Sequence, residues 1–337
     1  MPIYLGSSKT GNIYHGSTRI RLAYLGSVRV YPAINPYNPL ELPPYTIRVR
    51  YDQGVTPTYD QYTWELTLVD STQNIWDLTK ILYPTTWLSL PNKADVVEVL
   101  GFNATGITFM RAFGGCSKLT TVPLFDTSSA TTMIGMFKDC ESLVSVPLFD
   151  TSNVTDNMEF MFYNCRSLTT VPLFDTSSVI DMQSMFGGCT SLVSVPLFDT
   201  SNVLYTSGMF SGCTSLTSVP LFNTDSVTNM NRMLSWCTSL TSIPLFNTSL
   251  VTDMYEMCRG CSSLTTVPLF STTSATNMAN MFRDCVSVQS GALALYTQAV
   301  GEGKSSQAYC FTSCGSNTAS GQAELAQIPT SWGGTMS

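Results

Sequence analysis

Eight cysteines stand at positions 116, 140, 165, 189, 213, 237, 261 and 285, in steps of 24 or 25 residues. Prolines keep the same beat at 123, 147, 172, 196, 220, 244 and 268. A fixed period of this length restricts the chain to a stacked array, because one such module cannot bury its apolar face alone. Two spacings alternate within the module CRSLTTVPLFDTSSVIDMQSMFGGC, from Cys165 to Cys189. Leu168, Val171 and Leu173 give an L-x-x-V-x-L pattern, which predicts a strand with Val171 and Leu173 on one inward face. Met182, Met185, Phe186 and Cys189 fall at i, i+3, i+4 and i+7, which predicts a short helix. Asp175-Thr176-Ser177 between them is turn chemistry. The expected fold class is an α/β solenoid. It is a leucine-rich-repeat-like array of about eight 24-residue strand-turn-helix units over residues 96–290, with one long parallel sheet, a small β N-terminal tag and capped ends.

The units resemble BspA-like leucine-rich repeats, whose mark is a run of DTSxVTxM..MFxxC.SL segments. Matching stretches include DTSNVTDNMEFMFYNCRSL (150–168) and DTSSVIDMQSMFGGCTSL (175–192). That resemblance implies an adhesin or other surface protein, and such repeats also recur in phage proteins.

The ends differ from the array. Residues 1–31 repeat with a period of ten, IYLGS, IYHGS, AYLGS, with Tyr4, Tyr14 and Tyr24 aligned and Gly-Ser pairs at 6–7, 16–17 and 26–27. Alternation around Gly-Ser turns predicts small β-hairpins, too few strands for an independent core. This segment resembles short N-terminal tags of gut (crAss-like) bacteriophage virion proteins. Its expected role is attachment or oligomerisation, with Tyr4, Tyr14, Arg19, Arg21, Tyr24 and Arg29 as partner-docking residues; residues 1–40 contain no acidic side chain. Residues 32–44, PAINPYNPLELPP, form a proline-rich spacer. Residues 45–95 are read as a β-rich N-terminal cap. Residues 291–337 are read as a C-terminal cap, with helices in GALALYTQAV (291–300) and AELAQIPTSWGG (323–334).

The four side-chain ladders are expected to be structural. Cysteine once per module does not give zinc spacing, and helices about 10 Å apart would hold neighbouring thiols beyond the disulfide limit of about 7 Å. Packing is therefore expected for them; a Cys310–Cys314 disulfide is left open. The methionines are expected in the core. Asp126, Asp150, Asp175 and Asp199 give way to Asn223, Asn247 and Ser271 at the same place, so turn capping is expected in preference to a calcium row. The phenylalanines from Phe125 to Phe270 are expected to plug the core.

Charged residues are only 12% and the net charge is −7, which argues against a nucleic-acid partner. The start, MPIYLGSSKTGN, lacks a basic region followed by an apolar stretch, so synthesis and folding in a cytoplasm are expected, and no apolar run has the length of a membrane span. His15 is the single histidine, and no phosphate loop or nucleophile elbow occurs. No cofactor and no metal are expected. The surface-binding candidates are the hydroxyls Thr121, Ser145, Thr170, Ser194, Ser218, Ser242 and Thr266, and the aromatics Tyr205, Trp236 and Tyr255. The leading expectation is a non-enzymatic phage virion structural protein (capsid decoration, head fibre or tail fibre), assembled in the host cytoplasm and released by lysis. Its tag would bind other virion proteins, the chain would be a homo-oligomer, and the array would touch a host glycan or surface protein, with no nucleic-acid or membrane partner. A bacterial cell-surface adhesin is the alternative, and a polysaccharide-active enzyme is a third reading.

Overall fold

A computed structural model describes residues 3–5, 8–15, 18–25, 28–30, 46–58, 64–80, 90–103, 109–305 and 307–336. The proline stretch 32–44 lies outside the described residues. Near the N-terminus, β1 (Ile3–Leu5), β2 (Ser8–His15), β3 (Thr18–Leu25) and β4 (Val28–Val30) form a four-stranded antiparallel sheet in chain order. Its register aligns Tyr4, Lys9, Tyr24 and Arg29 in one cross-strand row, pairs Tyr14 with Arg19, and pairs Arg21 with Asn12.

A second antiparallel sheet contains β5 (Thr46–Tyr51), β6 (Trp64–Asp70), β7 (Ile75–Lys80) and β8 (Val96–Asn103), in the order β6-β7-β5-β8. Arg48 and Asp77 face each other across β5 and β7 as a buried bidentate pair, Nε to Oδ1 2.7 Å and Nη2 to Oδ2 2.9 Å. Both charges are thereby satisfied inside the sheet. The sequence boundary assigned β8 to the array. It belongs to both units: it pairs with β5, and Glu98 bridges to Thr121 of the first coil in parallel.

From residue 109 the chain winds as a solenoid. Successive coils lie side by side and are joined by main-chain hydrogen bonds one repeat apart, such as Phe137 N–H to Met161 O at 2.9 Å and Phe162 N–H to Met185 O at 2.8 Å. In the coil from Leu168 to Cys189, the side chains of Leu168, Val171, Phe174, Val179, Met182, Met185, Phe186 and Cys189 are all buried. The phenylalanines stack from coil to coil, with ring centroids 5.6 Å apart for both Phe162–Phe186 and Phe186–Phe210. The Phe125-to-Phe270 row is buried too, as expected from the sequence.

The expected helix is absent. The segment Met-x-x-Met-Phe-x-x-Cys is a run of turns. Amide donors alternate along it: Met185, Gly187 and Cys189 close turns onto Met182, Ser184 and Phe186, while Ser184, Phe186 and Gly188 donate to the next coil. Two residues per coil, four apart, have positive φ, for example Ser184 at 51° and Gly188 at 76°. That is the third-position geometry of a type II turn. The reason is lateral space. Coils stacked at strand spacing, about 4.8 Å, leave no room for helices about 10 Å wide on every coil. The expectation of distant cysteines falls with the helices. Every ladder thiol is buried, and from Cys140 onward each donates to a main-chain carbonyl one coil back: Cys165 Sγ to Phe137 O at 3.1 Å, and likewise Cys261 to Leu234 O and Cys285 to Cys258 O. Burial pushes the Cys116 thiol up to about 12 and also raises the thiols of Cys140 and Cys165, so thiolate chemistry is suppressed there.

The strand expectation is also corrected. The L-x-x-V-x-L segments make single inter-coil hydrogen bonds, such as Val193 N–H to Thr169 O at 3.3 Å. The prolines supply no N–H, so no continuous sheet forms there. Val171 is buried, but Leu173 is 58% exposed. The chain bends at the leucine: Phe174 N–H donates to Pro172 O at 3.1 Å, and Phe198, Phe222, Phe246 and Phe270 do the same. This i to i+2 bond is a γ-turn. It puts the central leucine outside and returns the next residue, phenylalanine, to the core.

The repeat does not end at Cys285. After α1 (Ala292–Gly301) the chain returns for a ninth turn segment, with Phe282 N–H donating to Cys310 O at 2.8 Å and Asp284 N–H to Thr312 O at 2.9 Å. Cys310 and Cys314 take the inner methionine and cysteine places of that turn, as free, buried thiols. Helix α2 (Ala319–Leu325) is capped by Thr318, whose Oγ1 accepts from Gly321 N–H at 3.0 Å. Trp332 closes the core end, stacked on Phe311 at 6.4 Å.

Candidate binding surface

Each coil has three outward edges. The first is the Thr/Ser-Pro-Leu segment. Thr121, Ser145, Thr170, Ser194, Ser218, Ser242 and Thr266 are exposed along it, as expected. Beside them run seven exposed leucines: Leu124, Leu148, Leu173, Leu197, Leu221, Leu245 and Leu269.

The second edge is the Asp-Thr-Ser corner, and every residue of its motif has a visible task. Asp150 Oδ1 accepts from the N–H and the hydroxyl of Ser152 at 3.0 and 2.7 Å. Thr151 turns inward and donates to Asp175 O of the next coil at 2.8 Å. Thr151 O accepts from Val154 N–H at 2.9 Å, and Val154 is buried. These serine hydrogen bonds hold the carboxyls of Asp126, Asp150 and Asp199 below the usual range. Asn223 caps its own turn in the same way without charge, accepting from Asp225 N–H at 2.9 Å. Among the described residues no group of three His, Cys, Asp or Glu side chains comes together as a metal site.

The third edge is the turn ladder. A line of parallel bridges enters it through Asn157, Asp181, Tyr205, Asn229, Asp253 and Asn277. Most of these carboxylates and amides accept the N–H two residues on, as Asp181 does from Gln183 at 2.8 Å. Tyr205 stands in this row without that capacity and is exposed between Asp181 and Asn229. Trp236 and Tyr255 are linked to each other through two arginines and a shared glutamate. Arg259 lies over the Trp236 ring at 5.5 Å and Arg232 over the Tyr255 ring at 5.2 Å. Both arginines converge on Glu256, at 2.8 Å from Arg232 Nε and 2.6 Å from Arg259 Nη1. Arg283 continues the row over Tyr309 at 5.7 Å. The Nε groups of Arg259 and Arg283 are buried without a hydrogen-bond acceptor. Sequence reasoning missed both arginine–aromatic stacking and Glu256, because only the coil stacking makes residues 24 apart neighbours.

Trp236 is also unusual in its backbone. The residue before each ladder cysteine has positive φ, and it is Gly115, Asp139, Asn164, Gly188, Gly212, Gly260 or Asp284 in the other coils. In one coil it is Trp236, at 62°. A bulky side chain in this region costs about 1–2 kcal/mol. The indole lies flat on the next coil, where a Cβ on Gly260 would approach it to 2.6 Å.

Burial pushes the Glu256 carboxyl up, but the two guanidiniums outweigh burial and hold it below its usual value. A lowered folded value means the carboxylate stabilises fully above the unfolded value of about 4.3 and loses its effect as the pH falls through the folded value. Glu256→Gln is expected to cost about 1–2 kcal/mol at pH 7, toward the low end because Arg232 is half exposed. Urea titrations of both proteins check this. The gap should narrow below about pH 4, and a gap that is constant with pH would refute the charge assignment.

The family described as "Mycoplasma protein of unknown function, DUF285" matches residues 92–195 and again residues 193–296. Together the two matches cover more than half of the chain. The chain belongs to the DUF285 family. Each DUF285 match takes in four ladder cysteines, so the family unit here is a block of four coils. No curated protein matches the chain. The solved structure of a leucine-rich repeat protein from Eubacterium ventriosum matches with 14% identity, covering 60% of this chain and 80% of that one, at a TM-score of 0.27. The solenoid assignment rests on the inter-coil hydrogen bonds of the DUF285 array itself.

Proposed function

We propose that this chain is a non-enzymatic, adhesin-type surface protein whose solenoid presents the Arg232–Trp236–Tyr255–Arg259 patch to a glycan or protein on another surface. The observation that carries this reading is Trp236: an exposed indole at 62° φ, in a place that other coils give to glycine, asparagine or aspartate. Its contacts with Gly260 and Arg259 leave 46% of the residue exposed, and backbone strain kept under an exposed aromatic points to function. Tryptophan and arginine are the side chains that dominate contact energies. The leucine-rich-type repeat and its BspA-like motif fit the same role. The purified chain, screened on a glycan array and an array of cell-surface proteins, should bind members of one class. Trp236→Asn keeps a residue that tolerates positive φ, as at Asn164, and should leave stability within about 1 kcal/mol. It should weaken binding at least about tenfold. Unchanged binding by Trp236→Asn would remove the patch from the proposal.

A second reading, a virion structural protein held to a phage particle by residues 1–31, is favoured by the small sheet β1–β4. Four short strands make a marginal core, which suits docking of Tyr4, Tyr14, Arg19, Arg21, Tyr24 and Arg29 on a neighbouring protein. Mass spectrometry of purified phage particles separates the two readings, since only a virion protein would be found there.

A further inference from the structure

The leucine row on the first edge is not explained by the adhesin reading. From Leu124 to Leu269, one leucine per coil stands 50–62% exposed, and Val144 and Val193 beside it are also exposed. Between the inward leucine and the inward phenylalanine of each coil, LTTVPLF or a close variant, there is no charged residue in any of the seven coils. The row follows the coil stacking, one leucine per coil, and spans about 29 Å over its six steps at strand spacing.

We propose that this face is a homodimer interface in which two copies of the chain pack their leucine rows against each other in antiparallel fashion. Three observations select a second copy as the occupant. The first is area. Burying a leucine at about 25 cal/mol per Å² corresponds to roughly 100 Å² of apolar surface. The leucines with their flanking Thr, Ser and Val side chains therefore approach the ~800 Å² per partner of a stable interface, and they exceed the patch a monomer ordinarily leaves bare. The second is period. Leucines one coil apart interdigitate only with a surface of the same rise, and an identical solenoid has it. The third is charge. The corner that borders the row is acidic at Asp126, Asp150, Asp175 and Asp199 but uncharged at the same place in Asn223, Asn247 and Ser271. In an antiparallel face-to-face pair the two-fold axis keeps both corners on the same side and sets each acidic half beside the uncharged half of its partner, whereas a parallel pair would put the two corners on opposite sides and lose this match. The carboxylate of Asp225 in the latter half is engaged by the Asn247 amide at 2.7 Å.

The full chain in sedimentation equilibrium should show twice the protomer mass of 36.8 kDa. Leu173→Asp with Leu221→Asp should return it to one protomer, with an unchanged far-ultraviolet spectrum. Geometry is tested by oxidative cross-linking, for which the native thiols are silent because all are buried. Leu197 is the middle leucine of the row, so a two-fold axis brings it to its own copy. Leu197→Cys should cross-link to itself. Leu124→Cys alone should not, but should cross-link when mixed with Leu269→Cys. A monomer at tens of micromolar, a dimer untouched by the two aspartates, or self-cross-linking of Leu124→Cys equal to that of Leu197→Cys would each overturn the proposal.

Discussion

Phe186→Ala should lower the unfolding free energy by about 3–5 kcal/mol, the range for removing a large aromatic from a packed core. The ring is fully buried and stacks on Phe162 and Phe210 at 5.6 Å and on Phe198 at 6.0 Å. It lies mid-array, where the coils on either side cannot close over a gap without breaking the 2.8–2.9 Å amide bonds that Phe162 and Phe186 make to adjoining coils. Such a loss is a large part of the 5–15 kcal/mol available to a folded domain. Equilibrium denaturation checks it, with Ser194→Ala on the exposed edge as a control expected within about 0.5 kcal/mol. A cost below about 1 kcal/mol for Phe186→Ala would mean that the rings do not share one interior.

Removing one whole module should be tolerated, and removing half of one should not. Deletion of residues 190–213 joins Cys189 to Thr214, which restores the natural C-T-S-L junction and keeps every inward position in place. Solenoid stability is roughly a sum of module and neighbour terms, so this variant should fold cooperatively with a modestly lower midpoint. Deletion of residues 190–201 instead removes Leu192, Val195 and Phe198 from one coil and leaves its turn segment with nothing to close against. That variant should lose its cooperative transition and become sensitive to limited proteolysis. Equal behaviour of the two deletions would contradict coil-by-coil stacking.

Much of this was legible in the sequence. The period determined the stacking and the inward phenylalanines, but neither end of the array: β8 also belongs to the cap sheet, and a ninth turn segment follows Cys285. The shared side-chain oxygen of Asp175 and Asn223 correctly announced turn capping. The turn ladder was misjudged because Met182, Met185, Phe186 and Cys189 have the same spacing whether the backbone is helical or a chain of type II turns. A signal was present one residue before the ladder cysteines in every coil but that of Trp236: Asp139, Asn164, Gly188, Gly212 and Gly260 are residues that accept positive φ, and a helix has no use for them there. The leucine was misplaced because period-2 alternation assumes a straight strand, and the γ-turn at Leu173 breaks it. In the last repeat, AYCFTSC (308–314) was hidden by the α1 insertion that precedes it.

The sequence alone determined which side chains repeat, and so which must share an interior, because identical modules can hide their apolar faces only against one another. The tertiary structure alone decided the path of the backbone between those side chains. Inter-coil amide bonds one repeat away exclude a helix and bring Arg232, Glu256 and Arg259 together across coils. These are long-range hydrogen bonds and contacts, and the apolar spacing, which is the same for both backbones, does not encode which of the two will make them.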